Sequence, residues 1–117
     1  MAGVSGLKGS FPLTAEEIDK QIKFKAPGVF SLGNLNDDGK YQTLYVGRAD
    51  RDLAATLKKC LRQTKRFKWE QFDVAEDAFK KECELYHLFK PQANTVHPPV
   101  PSTEDWRCPE CGFPKNR

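Results

Sequence analysis

Apolar and polar positions repeat along this chain with two periods, near 3.6 in three stretches and near two in three others. Ile18 and Ile22, one turn apart behind Thr14-Ala15-Glu16-Glu17, predict a helix from about Ala15 to Lys23. The Thr14 hydroxyl can accept the amide three residues on, and Glu17 can reach back, as in a capping box. Pro27 ends the run, because the residue before a proline avoids the α region. Leu53, Leu57, Cys60 and Leu61 share one face of a second helix, capped by Asp50 or Asp52 and reaching about Arg62. On that face Cys60 reads as a small core residue rather than a ligand. A third helix runs from about Val74 to Phe89 behind a second capping box, Asp73-Val74-Ala75-Glu76.

The period of two marks strands. Gly28 to Gly47 reads as a hairpin, with Val29, Phe30 and Leu32 in its first strand. In its second, Tyr41, Thr43 and Tyr45 alternate with Leu44 and Val46. Asn36-Asp37-Asp38-Gly39 joins them, and Asn, Asp and Gly tolerate the positive φ of a tight turn. A third strand spans Arg66 to Phe72, where Phe67, Trp69 and Gln71 alternate with Lys68, Glu70 and Phe72. The order helix, hairpin, helix, strand, helix predicts a mixed α/β (α+β) fold, a small sheet with helices packed against it.

One acid breaks the pattern. At 100° per residue, Ala75, Ala78, Phe79, Leu85, Tyr86 and Phe89 all fall within about 60° of Glu82. A carboxylate centred in an apolar stripe loses hydration, so it needs a cationic partner, a set of donors or a metal. A structural ion pair and a functional acid both satisfy that need. Glu76 and Glu84 point elsewhere and read as solvated.

Composition bounds the rest. With 117 residues, 38% hydrophobic and 30% charged, one globular domain with a modest core is expected. No apolar run approaches the roughly 18 residues of a membrane helix. The opening MAGVSGLKGS lacks the apolar core of a secretion signal, so a cytoplasmic setting with no membrane partner is expected. Residues 1–12 are expected to be mobile, 13–94 to form the domain, and 95–117 to form a Pro-rich connector and a terminal motif. The net charge of +3 permits a nucleic-acid partner without arguing for one. Lys58, Lys59 and Arg62 cluster on the exposed side of the second helix, as a solvated face or as phosphate contacts.

The terminal motif is Cys108-Pro109-Glu110-Cys111-Gly112. This spacing lets two thiolates hold one Zn²⁺, and the glycine relieves the turn. It is half a site. His97 is a candidate for the other half, as are Cys83 with His87, which lie i,i+4 on the third helix. A homodimer pooling two such motifs would also complete it, and a metal-free turn or redox pair is the alternative.

Taken together, Gly28-Val29-Phe30, Tyr45-Val46-Gly47, the Ala78-x3-Glu82 helix, Pro91 and Asn94 resemble the motifs of the GIY-YIG nuclease superfamily over residues 27–94. The resemblance implies a three-stranded antiparallel sheet flanked by helices and hydrolysis of a DNA phosphodiester. It implies Glu82 as ligand of a divalent metal (Mg²⁺ or Mn²⁺), Tyr45 as the water-activating tyrosine and Asn94 as a supporting residue. Such a metal polarises the phosphate while a guanidinium offsets developing charge. Two positions depart from the family. Phe30 stands where the first motif has a tyrosine, and Thr56 or Ala55 stands where the following helix has an arginine. Arg48 or Arg51 could supply the guanidinium from the adjacent loop. With these departures a nuclease-like domain whose active site is impaired or altered is expected, and the competing expectation is a non-catalytic module, binding nucleic acid or protein, on the same fold.

Overall fold

The hairpin forms where its turn chemistry puts it. Asn36 Oδ1 accepts from the amides of Asp38 and Lys40 at 2.9 and 3.0 Å, and Gly39 takes φ +78°. This computed structural model describes residues 6–114. The turn joins strands that we number, with the other elements, in chain order. They are β1 (Lys8–Pro12), α1 (Ala15–Gln21), β2 (Gly28–Leu35), β3 (Tyr41–Ala49), α2 (Leu53–Lys58), β4 (Arg66–Gln71) and α3 (Ala75–Phe89).

The sheet is antiparallel with four strands in the order β1-β4-β2-β3, one strand more than the three expected. The extra strand comes from the N-terminal stretch that composition marked as mobile. Lys8 to Pro12 pairs with β4, and Leu7 beside it is buried. Gly- and Ser-containing sequence hides such a strand, since its stabilisation comes from a neighbour already in place. Residues 1–5 of that stretch lie outside the described residues.

Thr14 caps α1 by accepting from Glu17 N, whereas the Glu17 carboxylate accepts from Gln21 Nε2 instead of reaching back. Asp52 caps α2 through Ala55 N. That helix stops at Lys58, a turn short of the expected Arg62, which adopts φ +79°. The expected capping box at Asp73 does not form: Val74 is the N-cap of α3 and makes no side-chain cap bond.

Strand alternation divides the core into layers. Phe30 and Leu32 of β2 meet Ile18, Ile22, Leu53, Leu57, Phe67 and Trp69 on the α1/α2 face. Val29 and Val46 meet Leu85 of α3 on the other. A third cluster joins the far side of α3 to the tail, through Phe79, Cys83, Trp106 and Cys108. The Pro-rich connector thus leads to buried residues and does not hang free. Because α3 is covered by the sheet and by the tail, Glu82, between the two coverings, is 4% exposed.

The β2–β3 pairing shifts register between Leu32 and Gly33. A Cβ at Gly33 would sit 2.1 Å from the Gln42 carbonyl oxygen, which backbone pairing holds in place. Gly33→Ala is therefore expected to cost about 1–3 kcal/mol or more, read as a lower urea midpoint.

Candidate active-site cleft and metal centre

Residues far apart in sequence meet beside the outer edge of β3. A cleft of about 250 Å³ is lined by Tyr45 of β3, Glu82 of α3, Asn94 just beyond α3, and residues 95–99. Asn94 is fixed by two bonds to one residue of the strand: Val46 N donates to its Oδ1 at 2.8 Å, and its Nδ2 donates to Val46 O at 2.9 Å. Asn94 thereby engages the strand's backbone beside the cleft.

Arg48 belongs to β3 and not to the loop after it. Val46 and Arg48 share the face toward α3, which is why Arg48 reaches the helix acid. Its Nη1 donates to Glu82 Oε1 at 2.7 Å, its Nε to Asp50 Oδ1 at 2.6 Å and its Nη2 to the Pro99 carbonyl at 2.9 Å. Phe79 and Trp106 lie 5.2 and 5.6 Å from the guanidinium carbon. Side-chain exposure of Arg48 and Glu82 is 7% and 6%, so the pair is desolvated.

Burial dominates the Glu82 equilibrium. Loss of hydration pushes its carboxyl up to about 7; Arg48 pulls it back and Asp50 pushes it further up. Tyr45 is likewise raised by burial, with Glu82 and Cys60 adding to the effect, so its phenol is neutral near pH 7.

Other expected residues lie elsewhere. Lys58 pairs with Asp19 of α1 at 2.6 Å, and Lys58, Lys59 and Arg62 are exposed outside the cleft. Phe30 is 2% exposed in the α1/α2 core, with its ring 6.2 Å from that of Tyr45. Cys60 is half-buried against the same core, as its helix face implies.

The tail brings four ligand-type side chains together. Single atoms of His87, His97, Cys108 and Cys111 all lie within 4.8 Å of one another. His87 Nε2 is 3.4 Å from His97 Nε2 and 3.4 Å from Cys108 Sγ, and Cys111 Sγ is 3.5 Å from His97 Nε2. The four could hold a metal ion such as zinc.

Surrounding groups orient these ligands. His97 Nδ1 lies 2.9 Å from the Pro98 carbonyl, which fixes that nitrogen as the donor and leaves Nε2 for the centre. The ring stacks on Phe113 with centroids 4.2 Å apart, and desolvation holds His97 below its ordinary pKa, favouring the neutral ligand form. Glu110 N donates to Cys108 Sγ, and Gly112 N to the Cys108 carbonyl, with Gly112 at φ +76°.

His87 contributes without Cys83, its expected companion. Cys83 is fully buried beside Cys108, and burial pushes its thiol well above the ordinary range. One chain supplies all four groups, so no second copy is needed to complete the set. The sequence signal for His87 was its position on one flank of α3; what could not be read was that the connector folds back across that flank.

Among the described residues no helix is long and apolar enough to cross a membrane. Comparison of the chain with family models, with curated proteins and with solved structures returns no match.

Proposed function

We propose that this chain is a GIY-YIG-like domain that processes DNA by metal-dependent phosphodiester hydrolysis. The observation that carries the reading is that Tyr45, Glu82 and Asn94 line one cleft, with Arg48 bonded to Glu82. In this reading Glu82 holds Mg²⁺ or Mn²⁺, and that ion, when bound, supplies the Lewis acidity that polarises the phosphate. Tyr45, a neutral phenol beside the acid, orients the attacking water. Arg48 stands in for the guanidinium that Thr56 cannot provide. It offsets charge on the phosphate once it exchanges the Pro99 carbonyl for a phosphate oxygen. Asn94 holds the cleft wall on β3. Zinc is the metal this reading places at the His87, His97, Cys108 and Cys111 cluster.

The test is cleavage of supercoiled and linear DNA with Mg²⁺ or Mn²⁺. Wild-type protein is expected to cut, and Glu82→Ala to lose at least about 10²-fold in rate while still binding DNA. A wild-type protein inert at every metal concentration would exclude the catalytic reading.

One observation favours a second reading, a binding module without catalysis. Nε, Nη1 and Nη2 of Arg48 each already have a partner in the protein, and aromatic rings flank the group. Under either reading the exposed cations Lys58, Lys59 and Arg62 pair with DNA phosphates. Replacing all three with alanine is expected to flatten the salt dependence of DNA binding by roughly one log–log unit for each cation removed. An unchanged slope removes this face.

A further inference from the structure

The His/Cys cluster and the Glu82 cleft share a segment. His97 offers Nε2 to the cluster and also lines the cleft, where it is followed by Pro98 and by Pro99, the carbonyl partner of Arg48. We propose that zinc bound by His87, His97, Cys108 and Cys111 is a structural ion that fastens residues 95–99 across the edge of β3, so that the outer wall of the cleft exists only in the zinc-loaded protein.

The ligand geometry selects the metal. A zinc tetrahedron with ordinary Zn–N and Zn–S lengths has N···N edges of about 3.4 Å and N···S edges of about 3.6 Å. Three of the six observed edges match, 3.4 Å between the imidazole nitrogens and 3.4 and 3.5 Å between nitrogen and sulfur, and all four atoms lie within 4.8 Å of one another, close enough for an ion to draw them in. Two thiolates and two imidazoles, with no carboxylate among them, suit zinc and not the hard cations Mg²⁺ or Ca²⁺. Four protein ligands fill the tetrahedron and leave no position for substrate, which marks a structural ion.

The placement of the ligands gives the ion its task. His87 sits on α3, a rigid element, whereas His97, Cys108 and Cys111 sit on chain with no helix or strand of its own. Loop closure by the ion removes freedom of the chain between His87 and Cys111. Once fixed, His97 carries Pro98 into a buried position and sets the Pro99 carbonyl on Arg48. Trp106 is held in the same way, against Phe79 and over the guanidinium. The consequence for activity rests on the reading of the cleft as the working site; the ion and the wall do not.

The experiment uses the full chain. Elemental analysis after purification in zinc-containing medium is expected to give one zinc per chain, and Cys111→Ala to weaken zinc binding about 100-fold or more. Cys111 is exposed, so this variant keeps its core. Hydrogen exchange is then compared before and after removal of zinc with a chelator. Amides of residues 95–113 are expected to exchange at least about tenfold faster without zinc, while those of β2, β3 and β4 stay protected. Absence of zinc after purification and reconstitution overturns the proposal. So does exchange at the amides of Thr95, Val96 and His97 that zinc does not slow, or an equal rise across the whole sheet, which would make the ion a requirement of the fold and not of the wall. A zinc-loaded protein with a protected wall that cuts no DNA supports the pin and removes only the nuclease reading.

Discussion

Replacing Arg48 with methionine is expected to lower the unfolding free energy by about 3–5 kcal/mol at pH 8, because it strands the Glu82 carboxylate without its cation in a dry site. The cost depends on pH in a direction that burial dictates. In the wild type the Glu82 carboxyl is raised to about 7 from an ordinary value of 4.5. Between those values the folded protein holds a proton that the unfolded chain releases. Stability therefore falls as pH rises through that window, by an amount on the order of 3 kcal/mol. Without Arg48 the carboxyl is raised further, so the decline continues above pH 7. At pH 5 the variant keeps Glu82 neutral and loses much less. Arg48→Met combined with Glu82→Leu removes both charges and is expected to recover most of the loss. Urea unfolding at pH 5 and pH 8 checks each point. An equal cost at both pH values, or a double variant as unstable as the single, would show that the pair is not desolvated as its 7% and 6% exposures imply.

Phe79→Ala is expected to have a comparable effect, about 3–5 kcal/mol, for a different reason. Phe79 is fully buried on the side of α3 turned away from the sheet, with its ring 5.6 Å from Trp106. Deleting it opens a cavity between helix and tail and removes an aromatic neighbour of Arg48. Beyond the lower urea midpoint, the native-state emission of Trp106 is expected to shift to the red, best read in a Trp69→Phe background. Phe79→Leu, which fills most of the space, is expected to lose less on both readouts. Loss of stability with unchanged Trp106 emission would mean that the tail does not depend on this packing.

The parts of this molecule written in local chemistry were legible in its sequence. Thr14 and Asp52 cap where their hydroxyl and carboxylate allow, the Asn36–Gly39 turn closes the hairpin, and Phe67 and Trp69 face inward while Lys68 and Glu70 do not. The odd position of Glu82 followed from helical periodicity alone. What remained hidden depended on interactions distant in sequence. β1 is a strand only because β4 offers it an edge. Asp73 resembles a capping residue, but Val74 takes the N-cap position and α3 starts at Ala75. Arg48 looked like a loop residue because nothing local says that β3 continues to Ala49. The pairing of His87 with His97, Cys108 and Cys111 required knowing that a proline-rich segment turns back across α3.

Asn94 has a consequence for how this protein behaves in company. β3 ends the sheet, and the N–H and C=O groups that face away from β2 at such an edge form a template on which a strand from another molecule can add. Here the template is occupied. Asn94 meets both the N–H and the C=O of Val46 with its side-chain amide, and Ala93 N takes the carbonyl of Leu44 at 2.9 Å. A single carboxamide imitates one rung of a neighbouring strand while offering no backbone for a further one. Asn94→Ala would uncover the N–H and C=O of Val46 and open that rung of the edge to strand pairing from another molecule.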